Sequence, residues 1–232
     1  MVNIYCYTWN LFLAPQGLAD STCGYHAIKN GNYMLKLLKS KNLNEKNYLH
    51  NIKKCTNFKN LQSKNFLENE IQKYQSYFNS HLLSRSNMKY IIKSNNMDPD
   101  IFIVYLEDKN NMFDKSDYHR VREIMNKKCY RICIIFFKKR IEIITHWVPI
   151  IFDKINNNVH MHILDSYDMT WWGDNDLNEL VNRLYPNATV TCKNDYYEGN
   201  LYYVCYKSIE LIVLILIIYL FLDGLIKKLK RN

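Results

Sequence analysis

Apolar residues recur along the chain with two periods, and the change between them marks its organisation. Over residues 66–83, Leu67, Ile71, Tyr74, Phe78 and Leu82 return at spacings of three and four, which predicts an amphipathic helix with one buried face. Ahead of it, residues 14–22 carry Pro15, Gly17, Asp20 and Ser21 and read as a loop. That loop runs into a helix predicted from Cys23 to about Leu38, with Ser21 or Thr22 as its N-cap. A shorter helix is predicted over 117–128, where Asp117 can cap and Val121, Ile124 and Met125 can pack. From 101 onward the signal turns to short, dense runs of branched and aromatic residues, predicting strands at 101–106, 130–137, 141–152 and 159–164. The strands read as an antiparallel meander, connected through 138–140 and the Asn-rich stretch 153–158. A helix over 176–184 and strands at 188–192 and 201–206 complete the pattern. A leading helix, a helical middle and a curled antiparallel sheet belong to the α+β class.

The run 211–222 is unbroken and apolar, and the basic tail Lys227, Lys228, Lys230 and Arg231 follows it. It is shorter than the roughly 20 residues a spanning helix needs. Lys207, Glu210 and Asp223 flank it, so a core or interfacial helix is favoured over a tail anchor that would bring the chain to a membrane. The expected division is one domain over 1–208 and a C-terminal helix over 209–232.

Composition supports a folded core, with 48% hydrophobic and 23% charged residues. The formal charge of +9 favours acidic partners. It does not by itself indicate nucleic acid, because Lys and Asn recur throughout in a manner that AT-rich coding also produces, and nucleic acid is disfavoured as a partner. The seven cysteines show no disulfide framework and the chain opens on no secretory leader pattern, so a cytoplasmic location is expected.

Cys23 is the residue with the clearest chemical placement. A thiol becomes a useful nucleophile as a thiolate, and the free amides and positive dipole end at a helix N-terminus favour that anion. Cys23 opens the predicted helix, and Gly24 beside it would let a substrate backbone approach. An oxyanion formed by attack needs two donors: the Cys23 N–H is one, and the Gln16 amide, seven residues upstream, is the candidate second. A base must come from a rigid element with a group behind it to fix its tautomer. His146 within a strand and Asp165 ending the next one fit that requirement. Each of these residues alone is more simply a core residue, and it is their order together that points to catalysis.

The stretch QGLADSTCGYHAIKN (16–30) resembles the active-site loop and helix of papain-like enzymes that act on ubiquitin and its relatives, especially Josephin-type and ubiquitin C-terminal hydrolase enzymes. The stretch HWVPIIFDKINNNVHMHILDS (146–166) is similar to the His and Asp strands of those enzymes and of SUMO-type proteases. The resemblance implies a papain-like fold and a thiol protease with Cys23 as nucleophile, His146 as base, Asp165 as its orienting partner and Gln16 as oxyanion donor. It also implies a ubiquitin-like substrate and no cofactor. Two features depart from those families. The Gln-to-Cys gap is a residue or two longer, and SUMO-type proteases place the Cys after the His and Asp.

Other residues carry weaker signals. Cys129 and Cys133 lie in a predicted strand with no second pair to complete a zinc site. His160 and His162 share a strand face, where core packing is the simpler reading than a metal. His26 is expected to pack inside the domain. Trp147, Trp171 and Trp172 bracket the proposed site and read either as core or as flat walls around an extended Gly-Gly tail. Two other classes remain open beside hydrolysis: acyl transfer by the same triad, and a catalytically inactive module that binds a modifier.

Overall fold

The computed structural model describes residues 2–10, 22–41, 48–55, 64–79, 83–106, 112–141, 144–165 and 175–193. Only the backbone is described at 8–10, 53–55, 64–69, 138–141, 144–146, 165, 175–176 and 192–193. The described elements fall within one compact unit, Met1–Tyr196. In chain order they are β1 (Asn3–Asn10), α1 (Cys23–Ser40), α2 (Tyr48–Cys55), α3 (Lys64–Phe78), α4 (Arg85–Ser94) and β2 (Ile101–Tyr105). They continue with α5 (Lys115–Met125), β3 (Cys129–Ile141), β4 (Ile144–Ile155), β5 (Asn158–Asp165), α6 (Asn175–Leu184) and β6 (Thr189–Lys193).

The strands form one mixed sheet in the order β2-β3-β4-β5-β1-β6. Only β3, β4 and β5 make the expected antiparallel meander. The curled antiparallel sheet is therefore corrected: β2 runs parallel to β3, and β1 lies between β5 and β6, parallel to both. The physical reason lies in the connections. A helical crossover such as α5 returns the chain to the same end of the sheet, which makes the next strand parallel, whereas the two-residue turn after β4 reverses it. Asn156, at φ 57°, takes the left-handed conformation in that turn, which asparagine tolerates.

Both faces of the sheet are covered, which is why its strands read as nearly continuous apolar runs. One face carries Ile132, Ile134 and Phe136 of β3, Val148, Ile150 and Phe152 of β4, and Val159, Met161 and Ile163 of β5. These pack with Val121 and Ile124 of α5 and Leu177, Leu180 and Val181 of α6. The other face receives α1. Gly31 lies so near β3 that an added Cβ would stand 2.7 Å from the Cys133 sulfur and 3.4 Å from Pro149.

Several element ends differ from expectation. The third helix stops at Phe78, where Asn79 turns left-handed at φ 48°, rather than running on through Leu83. Asp114, not Asp117, caps α5: its side chain accepts the Asp117 backbone N–H at 3.0 Å. Strand β3 continues through the predicted 138–140 connection to Ile141. The expected strand at 201–206 and the run 211–222 lie outside the described residues, among which no helix is long and apolar enough to cross a membrane.

Candidate functional site

Helix α1 begins at Cys23 itself, with Thr22 at the N-cap position and no side-chain cap hydrogen bond from it. No acidic residue stands in the first turn. The N-terminal end of the helix dipole therefore lies at Cys23. In the structure the Cys23 side chain is buried, at 4% exposure.

Gly24 has a different role from the one expected. A Cβ there would lie 3.1 Å from Leu83 Cβ and 3.3 Å from Trp147 Cδ1, so the missing side chain lets α1 settle on β4 and the segment before α4 rather than making room for a substrate. Trp147 is a core residue in this contact, packed edge-on against Phe137 at 4.8 Å and Tyr105 at 5.2 Å between ring centroids. It is not a free wall; Trp171 and Trp172 lie outside the described residues.

The first turn of α1 thus lies within van der Waals reach of the residue that follows His146. In β4 the His146 backbone pairs with Lys138 of β3. Asp165 ends β5 with its backbone opposite Asn10, the last residue of β1. The segment 11–21, which contains Gln16, links Asn10 to Thr22 in sequence and lies outside the described residues. The pairing of β4 with β5 ends at Ile150↔Ile163. Pro149 follows immediately and has no N–H to add to the ladder. Carried one rung further on the same face, the register sets Asp165 opposite Val148, two residues from His146. In register, His146 and Asp165 belong to the alternation set of Val148 and Ile163, and Trp147 belongs to the other. The Gln16 position and the side chains of His146 and Asp165 lie outside the described residues.

A second polar group, legible only in part from sequence, is buried under α1 and α2 near the opposite end of the sheet. Tyr48 Oη donates to Asp153 Oδ2 at 2.8 Å and lies 2.9 Å from His162 Nε2. A hydroxyl has one proton, so with that proton on Asp153 the His162 Nε2–H donates to Tyr48, which sets the His162 tautomer. Arg131 Nε donates to Asp153 Oδ1 at 2.9 Å and its Nη1 to the Lys41 carbonyl at 3.2 Å. Tyr7 Oη lies 3.1 Å from His160 Nδ1, and the Tyr48 ring stacks on His160 at 3.7 Å.

Burial governs the protonation of this group. It pushes His160 down to about 4 and, with His160 beside it, His162 down to about 3. Burial also raises Asp153, against the lowering pull of Arg131 and Tyr48, and it lifts Tyr48 well above the usual phenol range. These are neutral core histidines. Among the described residues no three His, Cys, Asp or Glu side chains are grouped to hold a metal ion. Cys129 is exposed and Cys133 is buried beneath α1. His26 is buried on α1.

Sequence reading missed Tyr48 because it missed α2, although Tyr48, Ile52 and Cys55 recur at helical spacing. It missed β1 because Ile4 and Cys6 face one side and Tyr5 and Tyr7 the other, with no polar alternation to mark a strand buried on both faces. No protein-family model, curated protein or solved structure matches the chain.

Proposed function

We propose that the chain is a papain-like thiol protease that cleaves the peptide or isopeptide bond at the tail of ubiquitin or a ubiquitin-like modifier. The observation that carries this reading is the placement of Cys23 as the first residue of α1, in a first turn that holds no acidic residue, with Gly24 against Trp147, next in sequence to His146. The adjacent ends of β1 and β5 support it, because they bring the Asp165 backbone beside the start of the segment that carries Gln16. Because His146 shares the register set of Val148 and not that of Trp147, the reading requires the imidazole to reach the thiol around the end of the sheet rather than across its face.

In this mechanism the Cys23 thiolate adds to the scissile carbonyl, and the Cys23 N–H and Gln16 amide receive the oxyanion. The leaving amine takes its proton from the His146 imidazolium, and a thioester remains. Water then adds to the thioester, passes a proton to His146 and releases the carboxylate with the Cys23 thiol. Asp165 holds the imidazole in the tautomer that performs both transfers.

The test is labelling by ubiquitin and ubiquitin-like proteins that carry an electrophile at the C-terminus, with the adduct mapped by mass. At least one probe is expected to label Cys23. Cys23→Ala should abolish labelling, His146→Ala and Asp165→Asn should slow it by about 10³-fold or more, and Gln16→Ala by about 10²-fold. A folded wild-type chain that no probe labels, or a Cys23→Ala chain labelled as fast as wild type, overturns the reading. Labelling at Cys23 combined with transfer to an added amine, and no hydrolysis, would assign acyl transfer instead.

A further inference from the structure

On the sheet face opposite α1, a cleft of about 630 Å³ opens between α5 and the C-terminal end of α6. Its size lies in the range of sites for small organic ligands, roughly 300 to 1,000 Å³. The lining divides by chemistry. Phe113, Val121, Met125 and Leu184 supply an apolar wall; Lys115, Arg122, Lys154 and Arg183 bring four cationic side chains, with His119 beside them. Among the described residues no Asp or Glu lines the cleft.

Of the four cations, Arg183 has an acidic partner among the described residues. Asp114 and Asp117 are both held by Lys89, and Glu179 is paired with Arg183. Lys115, Arg122 and Lys154 make no ion pair among the described residues. Arg122 instead lies over the Tyr118 ring at 5.7 Å and Lys154 over the Tyr130 ring at 5.5 Å. Gathering cations of which three have no acidic partner among the described residues costs free energy through mutual repulsion, and an anion in the cleft would relieve that cost. An apolar wall next to that positive field suits a ligand with both parts.

We propose that this cleft binds a phosphorylated small molecule with an aromatic or apolar body, its phosphates held by Lys115, Arg122 and Lys154 and its body lying against Phe113, Met125 and Leu184. The site is separate from Cys23, and its occupancy does not depend on the protease reading.

Binding of trinitrophenyl-ATP, a fluorescent aromatic triphosphate, to the full chain tests this. Saturable one-site binding is expected, displaced by ATP and more weakly by pyrophosphate. The double reversal Arg122→Glu with Lys154→Glu should raise Kd at least tenfold. The control pair Lys36→Glu with Lys93→Glu, at exposed positions outside the cleft, changes the net charge equally and should leave Kd unchanged. If the double variant does not fold, Lys115→Glu on the exposed rim gives the same readout, with at least a threefold rise in Kd expected. Absence of saturable binding, displacement by adenosine as effective as by ATP, or a Kd unchanged in the folded reversal variants overturns the proposal.

Discussion

Gly31 shows how much of the fold depends on one missing methyl group. With an added Cβ placed 2.7 Å from Cys133 Sγ, alanine there must push α1 off β3 or move a fully buried sulfur. Overpacking of this kind costs about 1–3 kcal/mol. Gly31→Ala is therefore expected to lower the unfolding free energy measured by urea denaturation by an amount in that range. In a Cys133→Ala background the same change should cost less, because the sulfur is gone, and equal costs in both backgrounds would place the strain elsewhere. Nothing at position 31 in the sequence announces this. A glycine inside a helix reads as a mild weakness until the strand beneath it is known. Cys23 is the opposite case, because its position at a helix start was legible from the loop-forming residues before it and the helical spacing after it.

Helix α4 ends in a motif that explains one of the chain's many asparagines. The Met97 N–H bonds the Ile92 carbonyl at 3.0 Å and the Asn96 N–H bonds the Lys93 carbonyl at 3.2 Å, with Asn96 left-handed at φ 47°. This is the Schellman arrangement, which closes a helix at a residue that tolerates positive φ. Asn96→Ala should cost about 1 kcal/mol, whereas Asn96→Gly should be neutral or slightly stabilising; thermal melts of the two variants check the sign. Composition alone credited the Asn content to coding bias, yet Asn79, Asn96, Asn156 and Asn187 all occupy positive-φ positions. The strand runs were legible because an apolar stretch of that density must be buried. Their parallel or antiparallel sense was not, because that depends on which end of the sheet each connection returns to.

The whole molecule carries a pH dependence built into its core. His160 and His162 stay neutral in the fold, with values near 4 and 3, whereas an unfolded imidazole protonates near 6.5. Below pH 6.5 unfolding therefore takes up protons, and stability is lost as the pH falls from 6.5 towards those values. Asp153 acts in the opposite sense, since its raised carboxyl costs stability as the pH rises through the carboxylate range. The histidines should dominate, chiefly through the fully enclosed His162, with a loss of about 2 kcal/mol between pH 7 and pH 4.5. Denaturation midpoints across that range measure it. His162→Phe cannot charge, so its profile should be flatter, from a lower starting stability caused by the lost bond to Tyr48; a profile as steep as wild type would remove His162 as the source.

The sequence by itself determined where the chain turns helical or extended, that its central strands are buried, and that Cys23 opens a helix ahead of a His-bearing strand and an Asp-ending strand. Those properties depend on local spacing and residue type, which are written along the chain. Tertiary structure alone decided that β1 inserts between β5 and β6, that Gly24 and Gly31 serve close packing, and that Tyr48 reaches Asp153 and His162. It also decided that Lys115, Arg122 and Lys154 gather around one cleft. Each of these joins residues far apart in sequence, and such contacts follow from how the two faces of the sheet are covered rather than from any run of neighbouring residues.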